Sequence, residues 1–455
     1  VSARDHGVRA SITAAALAAL ALVLPSAALI LGGNNSGRAA FDSIAYHERF
    51  IRALAESFPA FDLTNPLTAT TPGYHIVVAT LAQLGADSTT AMRLVSMLIG
   101  AAFVGCVAAW LARRVGAALG VVFTLPLVAS IYVLGSAAWL LPDNLAWLLV
   151  VSILLLALGE PARARRLALA SVLLVLLVCV RQIHIWAAAT VWIGGWMLVV
   201  GGARPARGLV DRTYRTLPWV LATVPAFGAL VMFVRHWGGL TPPRFQNELQ
   251  GVNPATPAFI LLQVAVISAA FFPWLTGPVQ RAWRQQRGAV LVAALLGAVA
   301  ALIPATTADL HAGRFSGWWG VIERAPVIGG RTSLLVLLCA PIGAIVLASA
   351  LLGLHARARA VLGVSFLAFV AALTANYYCW QRYHEPFLLV LVPMLCVMQQ
   401  QGAPRATGWR MLAPLAFAAM LAVISARGFR GDPVPPDALP APEHVAPEDP
   451  FVARR

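Results

Sequence analysis

The chain has 455 residues, 60% of them apolar and 11% charged, with 33 arginines, no lysine and a formal net charge of +15. A soluble domain carries about 25% charged residues. This composition, with a mean hydropathy of +0.78, excludes a soluble globular protein and predicts a polytopic, all-α membrane protein.

The alternation of a membrane β-barrel is absent. A pI near 11 is read as positive-inside topology rather than nucleic-acid binding. The exclusive use of arginine fits a GC-rich, bacterial genome. Five cysteines (Cys106, Cys179, Cys339, Cys379, Cys396) are scattered through apolar runs without metal or disulfide spacing, as buried small hydrophobes are.

In chain order, the apolar run 11–31 is read as a retained first helix, because no small-x-small cleavage site precedes the polar loop after it. Twelve further spans follow, at 90–112, 116–135, 140–158, 167–180, 182–200, 217–236, 257–275, 288–305, 333–353, 359–376, 386–400 and 410–426, about thirteen in all. The segment 71–86, "TPGYHIVVATLAQLGA", is read as a half-buried helix of the first external loop, 32–89. If it crossed, every later arginine loop would invert.

With the N-terminus cytoplasmic, the inner face carries 18 arginines against three acids, Asp5, Glu160 and Asp211. The outer face carries 15 arginines and 15 acids. Acids contribute little to the insertion rule, so their gathering outside marks the external face as the working one. Residues 1–426 form the membrane domain, and 427–455, rich in proline and acid, is predicted to be an extended, disordered external tail.

Ionisable residues at helix ends are the candidates for function. Asp42 precedes the stretch "SIAYHERFIRALAESF", in which Ile44, Phe50, Ile51, Leu54 and Phe58 recur at helical spacing behind Ser43 as N-cap. That pattern predicts an amphipathic helix flat on the membrane. Asp42 then reads either as a general base towards a hydroxyl or as a helix cap. The residues alone leave both open.

In "CVRQIHIW", Arg181 and Gln182 interrupt two spans at their external junction. A guanidinium there reads as a phosphate ligand or as an arginine reaching for headgroups. His184 alone reads as a packed histidine. The run "NYYCWQRYHEP" is an interfacial aromatic belt, or a site in which Arg382 is a second phosphate ligand. Asp143 and Asn144 read first as the external start of a span and second as site residues. No phosphate-binding glycine loop and no zinc-type spacing occurs, so neither cofactor nor metal is expected.

Four stretches in order carry a family resemblance. They are Asp42-Ser43, Thr70-Thr71-Pro72-Gly73-Tyr74, Met92-Arg93-Leu94-Val95-Ser96 and Arg181-Gln182-Ile183-His184-Ile185-Trp186. Together they resemble the eukaryotic endoplasmic-reticulum α-1,2-glucosyltransferases that use dolichyl-phosphate-glucose, and more closely bacterial proteins of that type. Ser43 stands where the family has a second acid, and His184 where it has asparagine.

The resemblance implies a C-type membrane glycosyltransferase fold and transfer of a hexose from a polyprenyl-phosphate-linked donor. The acceptor would be a lipid-linked or cell-envelope glycan on the external face of the plasma membrane. It implies Asp42 as the catalytic base. Arg181, Gln182, His184, Arg382, His47, Arg93, Tyr74 and His75 would then be the donor-phosphate and substrate-binding residues. The rival readings are a transporter or flippase, a lipid-linked polymerase or ligase, and a non-catalytic assembly subunit.

Overall fold

The structure is a computed structural model that describes residues 3–64, 66–160, 163–200, 208–246, 251–399 and 408–435. Among the described residues the regular elements are helices, apart from a hairpin pairing Val327–Ile328 with Thr332–Ser333. Among the described residues six helices are long and apolar enough to cross a membrane, or up to nine if each of three bent pairs counts as one span. Three shorter apolar helices, Asp143–Leu158, Arg287–Leu302 and Glu385–Met398, accompany them. The chain is therefore a multi-pass helical membrane protein.

The first helix, Ala3–Leu31, packs along Thr89–Val115. Ala14, Ala18 and Leu22, one turn apart, are fully buried, whereas Ile12, Leu20 and Leu24 are exposed. Small side chains on the inner stripe let the backbones approach, and large apolar ones face outwards, as membrane helices require. Ser88 caps the second of these helices by accepting from the Ala91 N–H at 3.1 Å.

Each of the thirteen predicted spans falls on a helix, but three do not run straight; the one expected at 217–236 breaks between Leu221 and Val224, where two helices meet at 49°. The span expected at 116–135 breaks at Ser130, where Ala117–Ala129 and Ile131–Ala138 meet at 74°. The span expected at 257–275 stops at Ala270, and Phe272–Gln285 turns off at 114°. Hydropathy registers all three as continuous apolar runs; the break lies in backbone direction, to which a hydropathy window is blind.

Hydrogen bonds tie helix ends into two sets. At one end Arg93, in the first turns of Thr89–Val115, donates to the carbonyls of Ala138 (2.6 Å) and Asn34 (3.0 Å), and Ser130 donates to Glu385 at 2.6 Å. At the other end Arg357 donates to the Ala157 carbonyl at 2.6 Å, His355 meets Glu160 and Arg281 donates to Gln399. Arg113 and Arg114 close Thr89–Val115 at that same end. The first end carries the loops and the candidate site.

Three local expectations change. The stretch from Ser43 does not begin a helix. Arg38–Asp42 is already helical, Ser43–His47 forms one π turn, and Glu48–Glu56 continues. Ser43 caps nothing there; its hydroxyl accepts the Leu140 N–H at 3.1 Å. The predicted tail is not extended from 427: the last helix runs to Gly428, Phe429 is buried against Trp139, and the Val434 N–H bonds the Asn35 carbonyl at 2.8 Å. Residues 436–455, the rest of the predicted tail, lie outside the described residues. Residues 73–83 do form the short helix expected in the first loop, packed on Glu48–Glu56.

Candidate functional site

Charged side chains alternate in sign along a line at the loop-bearing end. Arg38, one helical turn before Asp42, meets it at 3.2 Å. Arg382, 340 residues further on, donates to Asp42 Oδ2 at 2.7 Å and lies 3.8 Å from Asp143 Oδ2. Asp143 Oδ1 then accepts from buried Arg181. The Tyr383 ring faces both guanidinium groups, 5.1 Å from that of Arg181 and 5.5 Å from that of Arg382. Asp42 is thus no helix cap: its backbone is helical and its oxygens belong to arginines.

Electrostatics follow from that alternation. Burial by itself would raise the Asp42 carboxyl, but Arg38 and Arg382 outweigh it and hold the pKa below its ordinary 3.8. Burial would likewise depress Arg382, and the Asp143 and Asp42 charges instead push it higher. Asp42 is ionised at neutral pH. The π turn after Asp42 swings His47 inward, where it stacks on His75 with Nδ1 2.8 Å from His75 Nε2. Burial lowers His47 to about 4, and burial and then His47 lower His75 further. The pair is neutral, one ring donating and the other accepting.

A cavity of about 530 Å³ opens beside this line. Arg38, Asp42, Asp143, Arg382, Glu385 and Arg430 give it a charged head. Phe315, Trp318 and Trp380 form one wall, while Ile131, Met420, Leu421 and Ile424 form an apolar flank. Met420 and Ile424 are 41% and 46% exposed, so the flank opens on the surface the bilayer would cover.

Of the nine residues singled out from sequence, Asp42 and Arg382 line the cavity. Arg181 lies behind Asp143. Gln182 accepts the Thr71 N–H at 3.1 Å and donates to the carbonyls of Ala69 and Leu240. Thr71 Oγ1 donates to the Val178 carbonyl at 2.7 Å. A Cβ on Gly73 would lie 2.7 Å from the Cys179 oxygen, so only glycine lets the helix Gly73–Gln83 butt against the end of Ala164–Val180. Tyr74 bonds Ser96 at 2.6 Å, Arg93 latches the first loop, and His184 accepts from Trp186 beneath Trp147. The four motifs therefore dock on one another around the site rather than all facing into it.

Sequence reasoning did not single out Arg38, Arg430 or Tyr132, all of which line the cavity, and gave Asp143 a site role only as its second reading. Arg38 stands at i−4 from Asp42, which was visible. Arg430 lay in the stretch predicted to be disordered. Among the described residues no group of three or more His, Cys, Asp and Glu is gathered to hold a metal ion.

Fold and site together define a multi-pass helical membrane protein with a charged, apolar-flanked cavity at one end of its bundle. Compared with protein-family models, with curated proteins and with solved structures, the chain matches none.

Proposed function

We propose that this protein is a membrane glycosyltransferase of the C-type fold, with about thirteen crossings of the plasma membrane. Its N-terminus would be cytoplasmic and its site external. It moves a hexose from a polyprenyl-phosphate-linked donor to a lipid-linked or cell-envelope glycan.

The observation that carries this reading is the make-up of one cavity. A carboxylate–guanidinium head suits a phosphate and a hydroxyl, and the exposed apolar flank beside it suits a polyprenyl chain. Arginines gathered at the opposite helix ends support the orientation.

In the proposed step Asp42 accepts the proton of the acceptor hydroxyl, whose oxygen attacks the anomeric carbon. The bond from that carbon to the phosphate oxygen breaks, and its electron pair leaves with the polyprenyl phosphate. Arg382, Arg38 and Arg430 stabilise the charge developing there. Arg181 acts through Asp143, which it holds against Arg382.

A transporter would place ionisable groups along a path through the bundle. Here buried Asp42, Arg93, Asp143, Arg181 and Glu385 all sit at one set of helix ends, which favours an enzyme.

The test is release of polyprenyl phosphate by the purified protein from a panel of polyprenyl-phosphate hexoses. Asp42→Asn should fold and bind donor but lose turnover by about 10²–10⁴, whereas Glu48→Gln, paired with Arg52 at 2.7 Å, should change it little. Near-normal turnover in Asp42→Asn removes the base assignment.

A further inference from the structure

One part of the cavity lining is strongly aromatic and well braced. Trp380 stacks on Tyr378 with ring centroids 4.1 Å apart, on Tyr383 at 5.6 Å, and meets Phe315 edge-on at 5.3 Å. Phe315, Trp318 and Trp380 are half-buried and line the cavity. They come from two loops, 313–320 and 377–383, joined as one rigid piece. Asn253 donates to the Tyr377 and Ala312 carbonyls, both at 2.8 Å, and the Trp319 indole donates to the Cys379 carbonyl at 2.6 Å.

Gln381 accepts the Trp318 N–H at 2.8 Å and donates to buried Glu385, which also accepts from Ser130. Gly317 makes this possible. Its φ is +56°, and a Cβ there would lie 2.2 Å from the Gln381 side-chain oxygen.

Burying a carboxylate and two amides beneath a loop makes physical sense where the loop must hold a ligand in register. An aromatic belt needs no such bracing, and it turns its polar tips to the headgroups; the Trp380 indole nitrogen is instead buried and without a hydrogen bond. A second, independent observation comes from a carboxylate of the same lining. Asp143 Oδ2 is buried and has no hydrogen-bond partner, with Arg382 Nη2 at 3.8 Å. Asp143 lines the same cavity. A carboxylate oxygen so placed calls for a donor from a ligand.

We infer that this aromatic wall is a carbohydrate subsite that takes a pyranose ring of the glycan acceptor, with a ring hydroxyl donating to Asp143 Oδ2. The C–H face of a pyranose packs on an indole or phenyl face, and its hydroxyls are the donors a carboxylate lacks. The acceptor is favoured over the donor sugar because the wall and the apolar flank come from different segments. The flank, on 408–428 and 131–138, leads to Arg430, where the donor phosphate would sit, and Arg382, on the wall's own loop 5.9 Å from the Trp380 ring, marks where the two substrates would meet. This inference rests on the proposed transfer reaction, and its test does not use turnover.

Binding of neutral gluco-, manno- and galacto-configured trisaccharides to the purified full-length protein is measured by saturation-transfer NMR and tryptophan fluorescence, without donor. The wild type should bind at least one. Trp380→Ala and Phe315→Ala should each weaken binding about tenfold or more, equivalent to about 1.4 kcal/mol, and Trp380→Phe, which keeps a ring face, by less. Unchanged melting temperatures would separate lost contact from lost fold.

Failure of the wild type to bind any trisaccharide overturns the inference, as does wild-type affinity in Trp380→Ala. Equal loss of polyprenyl-phosphate-sugar binding in Trp380→Ala assigns the wall to the donor and also overturns it. Trisaccharide binding that depends on Trp380, in a protein that releases polyprenyl phosphate from no donor, upholds the subsite while the transferase reading falls.

Discussion

Replacing Arg181 by alanine tests how the site is held together. Its side chain is 8% exposed and that of Asp143 10%, so the pair is out of water on both sides. Removing one partner of a buried ion pair costs about 3–5 kcal/mol, because the other charge is left without compensation. Arg382 remains 3.8 Å from Asp143 Oδ2 and shares that charge, which places the expected loss near the lower figure, about 3 kcal/mol. Replacing both partners, Arg181→Met with Asp143→Leu, should recover most of it, since well-packed apolar side chains substitute for a buried pair without penalty. The assay is reversible unfolding of the purified protein in mixed micelles, alongside donor binding. Loss of donor affinity with stability unchanged within about 1 kcal/mol would refute the pairing argument and make Arg181 a direct phosphate ligand.

Other outcomes follow from the same geometry. His47, held near 4 against an ordinary 6.5, and His75, also lowered, take up protons in the unfolded chain before the folded one. Stability is therefore fully present above pH 6.5 and should fall between 6.5 and 4 by up to about 1.4 kcal/mol per pH unit for each histidine. A melting profile flat down to pH 4 would contradict this, and His75→Phe should shallow the slope. Gly73→Ala forces a Cβ onto the Cys179 carbonyl and should cost about 1–3 kcal/mol, read from melting temperature. Cysteine-accessibility labelling from outside should reach a cysteine placed at Asp62 and miss one at Arg284; the reverse pattern inverts the topology.

How much of this was legible in the sequence depends on how far apart the partners lie. Helix positions were legible, because a run such as Leu334–Leu352 carries its own signal. Asp42 was legible as a carboxylate just beyond the first helix. Its setting was not: Arg382 reaches it from 340 residues away, and no local pattern announces a contact of that span. Arg181 looked like an unpaired guanidinium because Asp143, 38 residues earlier, sits at the start of a different helix. The bend at Phe271 was hidden for another reason. Both its arms are apolar enough to pass as one span, and direction is set by what each arm packs against.

The charge count of the cavity bears on the barrier of the proposed reaction. Three guanidinium groups, Arg38, Arg181 and Arg382, alternate with two carboxylates, leaving an excess of one positive charge. Arg430, exposed at the cavity rim, adds one positive charge and Glu385, which also lines the cavity, offsets it, so the excess stays at one. A polyprenyl-phosphate sugar is a diester with about one negative charge, and the polyprenyl phosphate that leaves is a monoester approaching about two. A head with this excess binds the departing group more strongly than the intact donor, and only such differential binding lowers a barrier. The ion pairs within the line matter for the same reason. Each arginine is already held by an aspartate before donor arrives, so little reorganisation accompanies the growth of charge on the phosphate. Had the arginines been unpaired, the excess would be larger, but donor and product would both be held tightly, and release of polyprenyl phosphate would become the slow step.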